Sequence, residues 1–273
     1  MNNPTPATPI DGAALLDEVE AFHRRFNVLP SENAYAAVVL WDAHAHLLDC
    51  FGITPRLAFL SPTPAVGKTR ALGVVSTLTP NPMYVTASAA RYCRALSNPD
   101  GRPTLLLDEA DTACGPRADV DGALRSLLNI GHRADSVVHQ QAADPALSVR
   151  TYSPYAAVAL AGLGSLPESV TSRSVIIRMC QAAPTARLEP FRPSKHTAEG
   201  HALRDRLAAW ADTVKPGMAD ARPAMPSAPP TRCAAVWEPL LAVADTAGGD
   251  WPQRARAAYT TLANETNEGR NAA

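Results

Sequence analysis

Aromatic residues make up only 5% of the 273, and acidic and basic residues nearly cancel, leaving a formal net charge of −1. That balance excludes a wholly basic nucleic-acid binder, so any DNA contact must come from a local patch. The five cysteines, Cys50, Cys93, Cys114, Cys180 and Cys233, show no C-x-x-C spacing. This speaks against a zinc site and a disulfide framework and fits a reducing cytoplasm. No apolar run approaches the ~20 residues that span a bilayer. The opening stretch, Asn2-Asn3-Pro4-Thr5-Pro6-Ala7-Thr8-Pro9, lacks the basic and apolar regions of a signal peptide. A soluble cytoplasmic protein with no membrane partner is the expectation. A hydrophobic content of 46% is ordinary for a globular chain able to bury one large core or two smaller ones.

What is present centres on Phe59-Leu60-Ser61-Pro62-Thr63-Pro64-Ala65-Val66-Gly67-Lys68-Thr69-Arg70. An apolar run breaks into a turn that ends in Gly-Lys-Thr, the layout of a P-loop: buried strand, phosphate-wrapping loop, helix. In such a loop successive backbone N–H groups and the helix N-terminus face the phosphates, which makes Pro64, Ala65, Val66, Gly67, Lys68, Thr69 and Arg70 the candidate nucleotide-binding residues. Lys68 would reach the β/γ-phosphates, and the Thr69 hydroxyl would bind magnesium. Downstream, Thr104-Leu105-Leu106-Leu107 reads as a buried strand delivering Asp108 and Glu109 to its C-terminal edge. Asp108 would hold the magnesium, and Glu109 would orient or deprotonate the attacking water. The loop departs from the ideal: Pro62 replaces a glycine, and Ala65 and Val66 stand where ring ATPases carry Gly and Thr. A left-handed Ala65 would cost roughly 1 kcal/mol.

Taken in order, residues 1–10 read as a disordered leader and 11–52 as a helical region. Asp11 and Ser31 are candidate N-caps. Within that region Asp42, His44, His46 and Asp49 suggest a metal site, but on a helix His44 and His46 point about 200° apart, which rules against it. Residues 53–183 alternate strands (56–60, 83–86, 104–107, 155–161, 173–179) with helices (67–78, 88–96, 120–131). That order predicts a parallel sheet with helices on both faces, an α/β three-layer core. Segments 136–140 and 147–152 flank Ala143-Asp144-Pro145 as a hairpin. Residues 184–265 read as a helical lid region with a Pro-rich loop at 215–231, and 266–273 as a disordered tail.

With these stretches laid out, the chain resembles the domain-of-unknown-function 3631 family, P-loop proteins of bacterial, plasmid and phage genomes, sometimes fused to primase or helicase-like regions. The resemblance is carried by Thr54-Pro55-Arg56-Leu57, Gly67-Lys68-Thr69-Arg70, Pro103 to Asp111, and Leu124 to Arg133. It continues in Val158 to Pro167, Ser172 to Met179, Val236 to Asp245 and Gly248-Gly249-Asp250-Trp251-Pro252. That family has Gly-Ser where this chain has Ala65-Val66, and aspartate where it has Ser172. The order of elements also resembles AAA+ ATPases. The resemblance implies that Arg173, before the last core strand, reaches a neighbouring subunit's phosphate, and that Arg232 acts as a lid arginine sensing the γ-phosphate. It further implies an oligomeric, Mg-dependent ATPase acting on DNA in phage or mobile-element replication, with the 136–152 hairpin (Arg150, His139) as the DNA contact. The alternative is a nucleotide-gated module that binds a protein partner and hydrolyses ATP weakly or not at all. A DEAD-box helicase is excluded, because the residues after 183 are too few and too helical for a second sheet domain.

Overall fold

The computed structural model describes residues 10–85, 96, 101–114, 123–140, 150–183, 187–226 and 232–271. Helices α1 (Gly12–Phe26) and α2 (Glu32–His46) come first. Each begins where a side chain accepts an orphan backbone N–H: Asp11 from Ala14 (3.1 Å) and Ser31 from Ala34 (3.2 Å). Then follow β1 (Arg56–Ser61), α3 (Lys68–Leu78), β2 (Pro82–Tyr84), β3 (Thr104–Leu107), α4 (Ala110–Cys114) and α5 (Ala123–Ile130). The hairpin strands are β4 (Val138–Gln140) and β5 (Arg150–Tyr152), paired antiparallel. The chain continues with β6 (Val158–Leu163), α6 (Glu168–Thr171), β7 (Ser174–Arg178), α7 (Pro193–Met218), α8 (Arg232–Ala247) and α9 (Trp251–Asn271).

Five strands form one parallel sheet in the order β2-β3-β6-β1-β7. Period-2 alternation sends Leu57, Phe59, Leu106, Ala159, Val175 and Ile177 to one face. There they meet α1, α2, α3, α7, α8 and α9 in a single core. Ala58, Leu60, Leu105, Leu107, Leu160 and Ile176 point the other way, onto Leu124, Leu127 and Leu128 of α5 and Val170 of α6. The three-layer α/β arrangement follows from strands that are apolar on both faces.

Several boundaries differ from the sequence reading. Tyr155-Ala156-Ala157 is apolar yet precedes β6: the Ala156 N–H bonds the Gly131 carbonyl (3.4 Å) and its carbonyl accepts from the Arg56 guanidinium (2.5 Å), so neither joins the strand ladder. Helix α7 runs on to Met218 through Pro216, shortening the proposed 215–231 loop. The tail expected to be disordered from 266 is instead helical to Asn271, with Thr266 buried and its hydroxyl on the Leu262 carbonyl. The helix expected at 88–96 lies outside the described residues apart from Leu96, and the hairpin turn and the 1–9 leader lie outside them too. Among the described residues no helix is long and apolar enough to cross a membrane.

Candidate nucleotide site

Strand β1 ends at Ser61 on the sheet's C-terminal edge, and the turn 62–67 carries the chain into α3. Its root is braced on both sides: Met179 donates its N–H to the Leu60 carbonyl (2.7 Å) and Gly164 to that of Ser61 (2.8 Å). The turn closes through left-handed residues, Ala65 at φ 61 and Gly67 at φ 95. Gly67 occupies a conformation that a side chain would strain, and its carbonyl starts the helix by accepting the Ala71 N–H. The Lys68 ammonium donates to the Ser61 hydroxyl (2.6 Å) and the Thr63 carbonyl (3.3 Å), folding back across the turn. Thr69 and Arg70 are exposed in the first turn of α3.

Asp108 and Glu109 leave β3 at the same edge. Only β6 separates β1 from β3, so these groups are about 10 Å apart across the sheet. Glu109 has φ 56, a left-handed backbone that turns its exposed side chain away from the strand. Its N–H donates to Asp108 Oδ1 (3.0 Å), and its carbonyl accepts from the Thr112 N–H and hydroxyl. Asp111, which the sequence reading left without a role, accepts the Leu163 N–H at 2.8 Å and ties this turn to the end of β6. Thr69 and Tyr84 line one open depression. Burial pushes the Tyr84 hydroxyl pKa up, a Ser76 hydrogen bond opposes this, and the nearby Asp108 charge adds to it. The Thr69 hydroxyl and Asp108 carboxylate are hard oxygen donors of the kind magnesium prefers, and among the described residues no set of three His, Cys, Asp or Glu forms a competing metal site.

A cavity of about 280 Å³ adjoins the turn, lined by Ala65, Val66, Gly67 and Arg70 and, opposite, by Phe26, Asn27 and Leu188. Arg25 latches its far wall by donating to Glu189 (3.1 Å) and Glu199 (2.6 Å), which holds both carboxyls below their usual range. Asn27 belongs to a buried polar chain. Its Nδ2 meets His23 Nδ1 at 3.3 Å, and His23 Nε2 meets Asp42 Oδ2 at 2.6 Å. Burial pushes the Asp42 carboxyl up, with His23 opposing it.

Arg173 is not part of this constellation. It precedes β7 and pairs its carbonyl with the Arg56 N–H (2.9 Å), at the N-terminal edge of the sheet, about 17 Å of strand from the loop. Its guanidinium donates to the Ser169 carbonyl and to Asn129 Oδ1 (3.4 Å). Cations gather at this edge: Arg56, fully buried, donates to the carbonyls of Ala156 and Leu128. Burial first, then the Arg56 charge, lowers the neighbouring His132 to about 4. The β4–β5 hairpin precedes β6 and adjoins the same edge, with His139 exposed and bonded to the Thr151 hydroxyl at 3.0 Å. Arg232 is the first residue of α8. His44 and His46, of the metal reading set aside above, hydrogen-bond the Thr54 hydroxyl and the Leu78 carbonyl.

The C-terminal part of the chain matches a known family. Residues 178–273, about a third of the chain, match a family described as "Protein of unknown function (DUF3631)". A relative in Saccharopolyspora erythraea, the "Uncharacterized 28.9 kDa protein in xis 5'region", is 44% identical over 87 residues, which is 32% of each chain. The chain therefore spans about a third of the length of the curated relative it matches. The matching segment begins at the last residue of β7 and takes in α7, α8 and α9, so the loop and the acidic turn lie before it.

Proposed function

We propose that the C-terminal edge of the sheet is a Mg-dependent nucleoside triphosphate site, with ATP as the ligand, in a P-loop, AAA+-like protein. One observation carries this reading: a left-handed Gly67 turn opening a helix with Lys68-Thr69 stands one strand away from the Asp108-Glu109 turn, at the edge where parallel sheets take ligands. In this reading the N–H groups of residues 65–70 wrap the phosphates, and Lys68 exchanges Ser61 and Thr63 for the β- and γ-oxygens. Thr69 and Asp108 hold magnesium, which supplies charge compensation for the triphosphate. Glu109 takes a proton from a water whose oxygen bonds to the γ-phosphorus as the bond to the β–γ bridging oxygen breaks, leaving ADP and phosphate. Arg232 opens a C-terminal helix and serves as the lid arginine of this scheme.

Arg173 lies at the opposite edge from its own loop, so in this scheme it acts on a second copy of the chain in a homo-oligomer. The hairpin beside it is the candidate DNA contact. A mobile-element or phage setting draws on the family resemblance and on the relative's printed place beside xis. The test is calorimetry with Mg-ATP on the full chain, followed by Glu109→Gln. Binding should persist while turnover falls about 100-fold or more, and no heat of binding would end the reading. A second reading, a nucleotide-gated partner-binding module with weak hydrolysis, is favoured by Ala65 and Val66 in the turn. Under it the wild type binds ATP without DNA-stimulated turnover.

A further inference from the structure

The first half of the phosphate turn is built from acceptors rather than donors. Pro62 and Pro64 have no N–H, so residues 62–64 offer one main-chain donor, that of Thr63. Both rings fix their own φ and push the residues before them, Ser61 and Thr63, toward extended backbone, which stiffens this arm. The arm does present two oxygens, and both meet the Lys68 ammonium: the Ser61 hydroxyl at 2.6 Å and the Thr63 carbonyl at 3.3 Å. The Ser61 hydroxyl also donates to that Thr63 carbonyl, at 2.5 Å. Its proton is thereby committed and a lone pair is left for the ammonium, which can only donate. Ser61 is 2% exposed and is held in register as the last residue of β1, its carbonyl accepting the Gly164 N–H at 2.8 Å. Its partner is a half-buried cation on a flexible four-carbon stem. A fixed acceptor thus faces a movable donor, and two of the three ammonium protons are used inside the loop.

We propose that Ser61 is a positioning residue that holds Lys68 back: its hydroxyl and the Thr63 carbonyl latch the ammonium across the turn, and a triphosphate must break this latch to take the lysine. The assignment rests on the triphosphate reading above and adds to it what sets the affinity of the site. Pro62, which stands where the usual loop has glycine, keeps the arm short of phosphate donors and firm around the lysine. The apparent affinity is the intrinsic affinity reduced by the fraction of molecules in which Lys68 is released. Release leaves the buried Ser61 oxygen without its ammonium partner, and hydrogen bonds to charged groups are the stronger kind.

Removing the hydroxyl tests the latch with two readouts. By calorimetry with Mg-ATP on the full chain, Ser61→Ala should bind about fivefold or more tightly than the wild type. Ser61→Thr, which keeps a hydroxyl, should stay close to the wild type. In the absence of nucleotide, Ser61→Ala should also raise the rate at which an amine-reactive ester acylates Lys68, read by mass spectrometry against Lys195 and Lys215, the other lysines of the chain. A circular-dichroism melt confirms the fold, and should Ser61→Ala not fold, Ser61→Cys, whose thiol is a weak acceptor, takes its place. Affinity at or below the wild type, or unchanged acylation of Lys68, overturns the latch while leaving the phosphate site standing. Absence of binding by wild type and variant alike would instead remove the triphosphate reading, and with it the role of the latch in affinity.

Discussion

Glu109 and Ala65 hold left-handed backbones although neither is glycine, and both lie in turns at the same sheet edge. A side chain in that region costs about 1–2 kcal/mol, and such strain persists where the surrounding structure over-determines it. For Glu109 the determinants are visible: Asp108 and Thr112 hold its peptide from both sides, and Asp111 anchors the turn to β6. Asp111→Ala should therefore lower turnover through misplacement of Glu109 while leaving nucleotide affinity within a few fold, a split that single-turnover and calorimetric measurements would reveal. Lys68→Ala, by contrast, should abolish measurable binding. At the same scale, burial lowers the His44 imidazole to about 3. The unfolded chain binds that proton near pH 6.5, so stability rises with pH between about 3 and 6.5 and falls as acid is added. At pH 5 the loss from this one group is about 2 kcal/mol relative to pH 7. Urea unfolding at the two pH values should show it, and His44→Gln should reduce the difference.

Among the elements, what was legible in the sequence is what local chemistry decides. Apolar runs ending in Gly-Lys-Thr and Asp-Glu read as strands meeting functional turns, and the parallel sheet puts both turns at one edge. The Asn27–His23–Asp42 chain was not legible, because His23 and Asp42 sit 19 residues apart on different helices and only their packing register brings them together. The burial of Arg56 at the start of β1 was not legible either, because it depends on carbonyls contributed by α5 and the approach to β6. The junction of α3 with α7 is equally hidden in sequence. A methyl group added at Gly200 would lie 2.3 Å from Thr77 Oγ1 and 2.6 Å from Thr77 Cβ. Gly200→Ala should thus force the helices apart and lower stability by about 1–3 kcal/mol, measurable as a drop in Tm. Because α3 begins at Lys68, the same variant should also weaken nucleotide binding.

For the whole molecule, Arg173 and the loop lie on opposite edges, so the proposed role of Arg173 requires a second copy of the chain. Arg173→Ala should cut turnover without changing nucleotide affinity. Mixing Arg173→Ala with Glu109→Gln should restore part of the activity, since some interfaces would pair an intact Glu109 with an intact Arg173; two inactive variants that stay inactive when mixed would refute a role in trans. The sharing of one core by the first and last helices carries a further consequence. Trp251 of α9 donates toward Asp17 and Ala13 of α1, and Trp237 and Tyr259 are buried in the same cluster as Trp41 of α2. The portion that matches the known family, 178–273, is therefore half of a joint rather than a detachable module. Expressed by itself it would present the raw apolar seam against which the amino-terminal helices normally lie, and it should aggregate unless residues 10–50 are supplied alongside it as a second polypeptide.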